Sequence, residues 1–264
     1  MLVDAGVSAK RVADSLTSLE IDPESIDAVL LTHEHHDHIH GIPRLSRRFG
    51  YKTYAVEEAA RAQRRKKPAL IDEPGVTVVP IDSTEPFEIG ELKIRPFSVS
   101  HDAVDPVMFV FEFMGRKLGY CTDLGVVTRL VRERLRGVHA LVIESNHDPT
   151  MLLEGPYRPA DKRRVKGRYG HLSNEEAQEL VRELCHPGLS SVTLAHLSQV
   201  NNTPRLAYDG MRAALDAVNA SDCEVRVAYQ DRIGTPVIVP EAPANSNMEL
   251  NLEMKFETNP EARE

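Results

Sequence analysis

The sequence predicts one layered α/β domain over residues 1–240, and three observations support this prediction. Short apolar runs rich in β-branched residues alternate with segments of helical periodicity. Several of these runs follow one another through turn residues, which indicates hairpins beside β-α-β units. No apolar run approaches the roughly 20 residues needed to cross a bilayer. The mixture favours a layered domain over a simple doubly wound sheet.

The first half of the chain supplies strands, helices and one hairpin. Val12, Leu16 and Leu19 recur at helical spacing. Ser8 precedes them and is suited to capping that helix, while Gly50 ends a second, short helix. The other predicted elements are strands at 1–6, 26–32, 52–56, 76–80, 87–89 and 92–99, a basic helix at 56–66, and a hairpin over 107–123 that turns at Met114-Gly115.

The second half returns to alternating helices and strands. Ser173 and Glu176 form the pattern of a capping box, which predicts a helix start. Residues 149–170 are rich in Pro, Gly and basic residues and are predicted to form a long functional loop. The polar, acidic tail at 241–264 is predicted to be disordered. The remaining predicted elements are helices at 127–136 and 204–218 and strands at 138–145, 190–196, 223–229 and 236–240.

Charge and cysteine content narrow the class of protein. The formal net charge is -8, and about half of that excess lies in residues 241–264. The basic runs at 61–67 and 158–168 are either polyanion contacts or solvated surfaces. The three cysteines are far apart in sequence, which argues against a disulfide framework. Because a signal-peptide pattern is also missing, we expect a cytoplasmic protein with no membrane partner.

A histidine-rich segment follows the second predicted strand. The string LLTHEHHDHIHG, residues 30–41, contains five histidines and one aspartate. Imidazole and carboxylate groups are ligands of divalent transition metals such as zinc. In an extended turn, His33 and His35 can point to one position, and Asp37 and His38 to a second. Each pair is an incomplete ligand set, which predicts further His or Asp ligands at strand ends downstream.

Three downstream residues meet this expectation. His101, Asp123 and His196 each stand where an apolar strand passes into a loop. Such positions commonly carry site residues in layered α/β folds. A single strand-end histidine is more often a capping or core residue, but three such residues after an HxHxDH cluster indicate a metal site.

HxHxDH, followed by a distant His, an Asp and a last His, resembles the motif order of the metallo-β-lactamase superfamily. The resemblance covers about residues 1–240 and implies an αββα sandwich with metals at one edge between its sheets. The chain starts at the segment LVDAG, so we expect a sandwich that lacks the first N-terminal strand or strands of the family. Two divalent ions are implied, with zinc preferred and manganese or iron as alternatives.

The resemblance also assigns ligands by motif position. The implied ligands of the first metal are His33, His35 and His101. The implied ligands of the second metal are Asp37, His38 and His196. Asp123 would bridge the two metals. Asp4 in LVDAG matches the aspartate that supports the ligand loop from behind.

Further strings narrow the resemblance to one branch. The β-lactamases proper carry Cys in place of Asp123, and a di-iron redox branch carries Glu in place of His35. HLSNEEA at 171–177 resembles the histidine-bearing helix start of ribonuclease Z-like phosphodiesterases. SHDAVDP, IESNHD, GPY, VKGRYGHLSN and LAHLSQVNNTP together most resemble the YycJ branch, also called WalJ or VicX. Its members are regarded as DNA exonucleases with a proposed part in mismatch repair, which implies DNA as the partner.

These features together predict a phosphodiester hydrolase that acts on DNA from a 5′ end. Two metals can share a hydroxide and clamp the attacking and leaving oxygens of a phosphodiester. Asp37 and Asp123 would help to hold these metals. His171 would protonate the leaving oxygen, by family position and because imidazole titrates near neutrality. Substrate contacts are expected from His147 and from the basic residues Arg163, Arg164, Lys166 and Arg168.

Three alternatives remain open at the level of the sequence. A small-molecule phosphodiesterase that opens cyclic phosphates would use the same ligands and differ in the length of its substrate channel. A thioester or lactone hydrolase of the same fold is weakly disfavoured by the basic 158–168 run. An inactive truncated product or a binding module is disfavoured by the complete ligand set. With few aromatics and no Trp, a stacking platform for single-stranded bases is not evident.

Overall fold

Two β-sheets form the centre of the molecule in a computed structural model that describes residues 1–62 and 67–239. The strands of the smaller sheet are β1 (Leu2–Val3), β2 (Ala28–Leu30), β3 (Lys52–Val56) and β4 (Thr77–Ile81). The strands of the larger sheet are β5 (Phe87–Ile89), β6 (Leu92–Ser98), β7 (Val107–Phe113), β8 (Arg116–Cys121), β9 (Ala140–Glu144), β10 (Ser191–Ala195) and β11 (Glu224–Val227).

Strand order and direction bring several carboxyl ends to one edge. The smaller sheet has the order β1-β2-β3-β4 with parallel neighbours, and β1 lies at its edge. The larger sheet has the order β11-β10-β9-β8-β7-β6-β5. It is parallel from β11 to β8 and antiparallel from β8 to β5. Strands β6, β8, β9 and β10 therefore run in the same direction and end at the same edge.

Five of the nine helices in the described part of the chain begin at a residue whose side chain caps the helix. The nine helices are α1 (Ala9–Ser18), α2 (His36–Ile39), α3 (Ile42–Phe49), α4 (Glu57–Arg61), α5 (Arg129–Leu135), α6 (Pro149–Glu154), α7 (Pro159–Val165), α8 (Asn174–Leu184) and α9 (Pro204–Asp216). Ser8 caps α1, and Ser173 with Glu176 forms the predicted capping box of α8. Gly50 ends α3 with φ of 74°, a left-handed value that glycine adopts without steric cost.

Three apolar clusters separate four layers. One packs α1 and α3 against the outer face of the smaller sheet, and another packs α5, α8 and α9 against the outer face of the larger sheet. The third lies between the sheets and includes Leu30, Phe109 and Phe111. Successive residues of β7 belong to different clusters, because side chains in a strand point alternately to opposite faces. Met108 and Val110 belong to the cluster that faces α5, α8 and α9. The predicted αββα sandwich is confirmed.

The prediction of a long loop over residues 149–170 is wrong. Two short helices, α6 and α7, occupy most of it. Pro149 and Pro159 stand at the first helical positions, where the missing N–H costs nothing and the fixed φ favours the helix. Asp148 caps α6 by accepting a hydrogen bond from the Met151 N–H. The prolines that suggested a loop therefore mark helix starts.

The predicted strand at 236–240 is also wrong for its described residues, 236–239, which form no strand. Pro236 has no N–H to donate to a ladder. The Arg226 guanidinium donates instead to the carbonyls of Thr235 and Pro236. The 241–264 tail and residues 63–66 of the first basic run lie outside the described residues. Among the helices described, none combines the length and apolar character that a membrane span requires.

We predict that Phe109→Ala lowers the free energy of unfolding by about 3–5 kcal/mol, because it opens a cavity between the sheets. Phe109 is fully buried, whereas Phe113 on the same strand is 42% exposed. Urea denaturation of both Ala variants checks this, with Phe113→Ala expected to stay within about 1 kcal/mol of the parent. Equal losses in the two variants would contradict the assigned layer.

Candidate metal centre

The strand-end side chains meet where the two sheets share an edge. The Val107 N–H, at the start of β7, donates to the Thr32 carbonyl just after β2, which joins the sheets there. The residues that follow or end the converging strands are His33 after β2, His101 after β6, Asp123 after β8, Glu144 at the end of β9 and His196 after β10. The topology thus gathers residues that are far apart in sequence.

Three histidines form a first group of ligand atoms. One nitrogen from each of His33, His35 and His101 lies within 4.8 Å of the other two. His101 Nε2 is 3.3 Å from His35 Nδ1 and 3.6 Å from Asp123 Oδ1. His101 Nδ1 lies 3.1 Å from the Gly170 carbonyl, so this nitrogen donates and Nε2 faces the group.

A second group lies on the other side of Asp123. Ligand atoms of Asp37, His38 and His196 lie within 4.8 Å of one another. Asp37 Oδ2 is 3.7 Å from His38 Nε2 and 3.9 Å from His196 Nε2. Asp123 Oδ2 is 3.4 Å from His38 Nε2, and its Oδ1 is 3.5 Å from His196 Nδ1. Asp123 therefore contacts both groups, and together with their six residues it completes the seven predicted ligands.

Asp4 supports the histidine segment from behind. Its Oδ1 accepts a hydrogen bond from the Thr32 N–H, and its Oδ2 accepts from the Thr32 hydroxyl, each at 2.8 Å. Oδ2 also lies 2.7 Å from His38 Nδ1. A carboxylate that holds one ring nitrogen orients the other toward a metal position. This geometry agrees with the supporting role expected of Asp4.

Glu144 is a site residue that the sequence analysis missed. It is fully buried at the end of β9. Its Oε1 lies 2.8 Å from Nδ1 of both His171 and His196, and its Oε2 accepts the N–H groups of Leu124 and Leu172. Burial alone would raise its pKa, but the hydrogen bonds from the two histidines hold the pKa well below the usual range. The strand-end rule that selected Asp123 could have found it, because VIES ends an apolar strand in an acidic residue.

Three site residues have left-handed backbone conformations. Asp4, Asp123 and His196 have φ values of 55°, 49° and 55°. Asp and His tolerate this region better than most non-glycine residues, yet each such residue costs of order 1 kcal/mol. Each lies directly after a strand, where a left-handed residue turns the chain and directs the side chain back over the sheet edge. The surrounding packing therefore maintains strain where the ligand groups converge.

The surroundings of these side chains shift their pKa values in different directions. Burial, with the charge of His38, lowers the pKa of His33 far below its usual range, so His33 is neutral. Burial also disfavours a charge on His38, but the Asp4 carboxylate outweighs it and raises the His38 pKa to about 9. A hydrogen bond from His196 keeps the pKa of Asp37 low. Binding a cation at His38 would therefore release a proton.

Two buried polar atoms of the cluster lack hydrogen-bond partners among the described residues. His33 Nε2 and Asp123 Oδ2 are both buried and accept or donate no hydrogen bond there. Such atoms cost free energy unless something satisfies them. They point into the two groups of His and Asp side chains, a donor set that divalent transition metals bind. The cluster is compatible with binding metal ions.

A cleft of about 770 Å³ opens beside the cluster, with His171 and His196 at one end. Of the four predicted basic contacts, only Arg164 lines it; its Nε donates to Asp102 Oδ2 at 2.6 Å. The other three are exposed on or after α7 and lie outside the lining: Arg163, Lys166 and Arg168. The structure thus separates one of these side chains from its neighbours in sequence.

The predicted substrate contact of His147 is not supported by its position. The residue is 2% exposed, and its backbone pairs with the segment at Ser173. Burial lowers the pKa of His147, which disfavours a charge there. Its neighbour Asn146 lines the cleft instead and donates from Nδ2 to the His196 carbonyl at 2.9 Å. Adjacent residues point to opposite sides here, and sequence alone does not decide which side faces the cleft.

Comparisons with known proteins identify the family of this chain. A family model described as the β-lactamase superfamily domain matches residues 1–196. Exodeoxyribonuclease WalJ of Streptococcus pneumoniae is 35% identical over 209 residues, which are 79% of this chain and 77% of WalJ. Exodeoxyribonuclease YycJ of Bacillus anthracis is 34% identical over 222 residues, covering 82% and 81% of the two chains. The crystal structure of Zn²⁺-bound PqqB from Methylobacterium extorquens has a TM-score of 0.60 at 21% identity, over 86% of this chain and 81% of that chain.

The chain therefore belongs to the β-lactamase superfamily and is a metal-dependent hydrolase of that superfamily. Within it, the chain is similar to the WalJ and YycJ proteins over most of its length. The likeness to PqqB supports the fold alone.

We predict that Glu144→Gln lowers the free energy of unfolding by about 2–3 kcal/mol, because an amide cannot accept all four hydrogen bonds that the carboxylate accepts. Affinity for a divalent cation should fall about 10- to 100-fold through misdirected histidine rings. Urea denaturation and competition with a chelator measure the two effects. Glu133→Gln serves as the matched control, because Glu133 forms an exposed surface ion pair with Arg129. If both variants behave alike, Glu144 does not orient the histidine rings as proposed.

Proposed function

We propose that this protein is a dinuclear-metal-dependent DNA exonuclease that hydrolyses phosphodiester bonds from a 5′ end. The observation that carries the proposal is the contact of one buried carboxylate, Asp123, with two ligand groups. The names of the relatives, exodeoxyribonucleases WalJ and YycJ, supply the substrate class. We also propose a cytoplasmic location, since all three cysteines are free thiols.

The donor set fits two divalent ions. The proposed ligands of the first ion are His33, His35 and His101. The proposed ligands of the second ion are Asp37, His38 and His196, with Asp123 shared. Zinc suits these nitrogen and oxygen donors, and manganese or iron could use the same set. When bound, the ions would lower the pKa of a coordinated water and neutralise charge on the phosphodiester.

The proposed role of His171 is to supply a proton to the leaving oxygen. Its Nδ1 is held by the Glu144 carboxylate at 2.8 Å, which leaves Nε2 as the ring atom that can act on substrate. A carboxylate behind an imidazole fixes its tautomer and stabilises its cationic form. The side chain is 13% exposed and lines the cleft, so a substrate can reach it. Glu144 is in this view a positioning residue for two histidines at once.

Arg164 is placed to hold a substrate phosphate. It lines the cleft near His171, and its guanidinium retains donors beyond the one on Asp102. Asp102 follows His101 directly, and its N–H donates to the Tyr169 carbonyl. The ion pair therefore ties the ligand loop to α7 and orients the arginine. Phosphate contacts of this kind position nucleic acid and make binding sensitive to salt.

We predict that Asp123→Ala abolishes turnover together with metal binding, while His171→Ala slows turnover about 10²–10⁴-fold with metal content preserved. Purified protein with its metals quantified is tested on 5′-phosphorylated duplex DNA, single-stranded DNA, RNA, a chromogenic phosphodiester and a β-lactam. Release of 5′-labelled mononucleotide from DNA is the expected activity. A fully active His171→Ala would refute the proton-donor role, and turnover of the β-lactam alone would refute the nuclease.

We predict that Arg164→Ala raises KM for DNA about tenfold or more and reduces the slope of log affinity against log salt by about one, because one phosphate contact is lost. Arg163→Ala removes a neighbouring charge that lies outside the cleft lining and should change KM little. DNA titrations at several salt concentrations give both quantities. Equal effects of the two substitutions would favour a diffuse basic surface over a specific phosphate contact.

A further inference from the structure

The cleft beside the metal centre extends well beyond the catalytic groups. His171 and His196 form one part of its wall, and residues 228–231 form another part. The Arg11 guanidinium of α1 donates to the Gln230 carbonyl at 2.7 Å and so ties this wall to the body of the protein. Its volume of about 770 Å³ falls within the range of small-molecule sites. This is room for one nucleotide unit rather than a long strand.

The walls of the cleft suit an uncharged group. Apart from the two histidines, Arg164 and Asp231 are the ionisable lining side chains that carry charge at neutral pH. A groove that tracks several phosphates would present a row of cations. Apart from these ionisable side chains, the described lining consists of two tyrosines, four amides, Ser198 and apolar residues. The chemistry matches a sugar and base attached to a phosphate at the histidine end.

Tyr157 offers an aromatic face in this cleft. It lies between α6 and α7 in the segment GPY. A Cβ at Gly155 would lie 2.5 Å from the Met151 carbonyl oxygen, so this close turn requires glycine and holds the segment in place. The second lining tyrosine, Tyr229, has the Arg232 guanidinium 3.6 Å above its ring centre, which occupies that face. Tyr157 is the better stacking surface of the two.

An amide pair lies across the far part of the cleft. Gln199 donates from Nε2 to Gln230 Oε1, and both side chains line the cleft. This arrangement leaves Gln199 Oε1 as an acceptor, and the second Nε2 hydrogen of Gln199 and the NH2 group of Gln230 as donors. Paired amide donors and acceptors are suited to the edge of a nucleobase. The cleft therefore combines a ring face and a polar edge.

We propose that this cleft is a nucleoside subsite, an inference that rests on the proposed nuclease function. The terminal nucleoside of the DNA strand lies in it with its base stacked on Tyr157, while the scissile phosphate meets Arg164 and the metal centre. The low aromatic content gave no evident stacking platform for a single strand, but one tyrosine in this cleft suffices to stack one base. Residues 228–231, which form part of the wall, would limit the subsite to a chain end.

The test uses metal-loaded enzyme and three 5′-phosphorylated strands of one sequence. One is intact, one has an abasic tetrahydrofuran at the terminal position, and one has it at the second position. We expect kcat/KM to fall about tenfold for the terminal abasic strand and little for the other. The Tyr157→Leu variant should cleave the intact strand about as poorly as the parent enzyme cleaves the terminal abasic strand. The variant should cleave the terminal abasic strand no more slowly than it cleaves the intact one. Tyr157→Phe should retain the preference.

Tyr169→Leu is the matched control, because Tyr169 is 59% exposed and lies outside the cleft lining. It should discriminate between the strands as the parent does. A parent enzyme that ignores the terminal base, a penalty confined to the second position, or a Tyr157→Leu variant with unchanged discrimination would each overturn the subsite alone. A parent enzyme that degrades no DNA would overturn both the subsite and the proposed nuclease.

Discussion

The buried carboxylate of Glu144 is the interaction on which the arrangement of the site depends. It accepts two backbone N–H groups with one oxygen and contacts two histidines with the other. A buried charge is tolerated only when it is fully paired, so these four contacts must form together. Through them the end of β9 fixes the segments after β8 and β10 and the start of α8. The positions of His171 and His196 follow from this one side chain.

Asp4 plays the corresponding part for the smaller sheet. It holds Thr32 and His38 through hydrogen bonds of 2.7 and 2.8 Å, so that each sheet contributes one buried carboxylate behind the cluster. The ligand atoms of the cluster then face a common space from two rigid sheets. The left-handed conformations of Asp4, Asp123 and His196 are maintained by the same hydrogen bonds and packing. The contacts that hold the cluster rigid therefore also maintain the local backbone strain.

The segment between β9 and α8 connects this support to substrate. Its two short helices place Arg164 and Tyr157 along the cleft. The Asp102 ion pair then joins α7 to the loop that carries His101. A proposed phosphate contact, a proposed base contact and a proposed metal ligand are therefore mechanically linked. The basic, proline-rich segment between β9 and α8 therefore lies beside the cluster rather than on a remote surface.

The resemblance in motif order supplied the αββα sandwich. Local pattern by itself determined a layered α/β domain, most of its elements and the seven side chains that converge, because strand ends and helix caps are written in adjacent residues. It failed where proline marks both loops and helix starts, at α6 and α7, and where Pro236 interrupts an apolar run. Only the tertiary structure placed Glu144 under two histidines, turned His147 inward and separated Arg164 from Arg163. Burial and pairing depend on contacts between residues distant in sequence, and periodicity carries no information about those contacts.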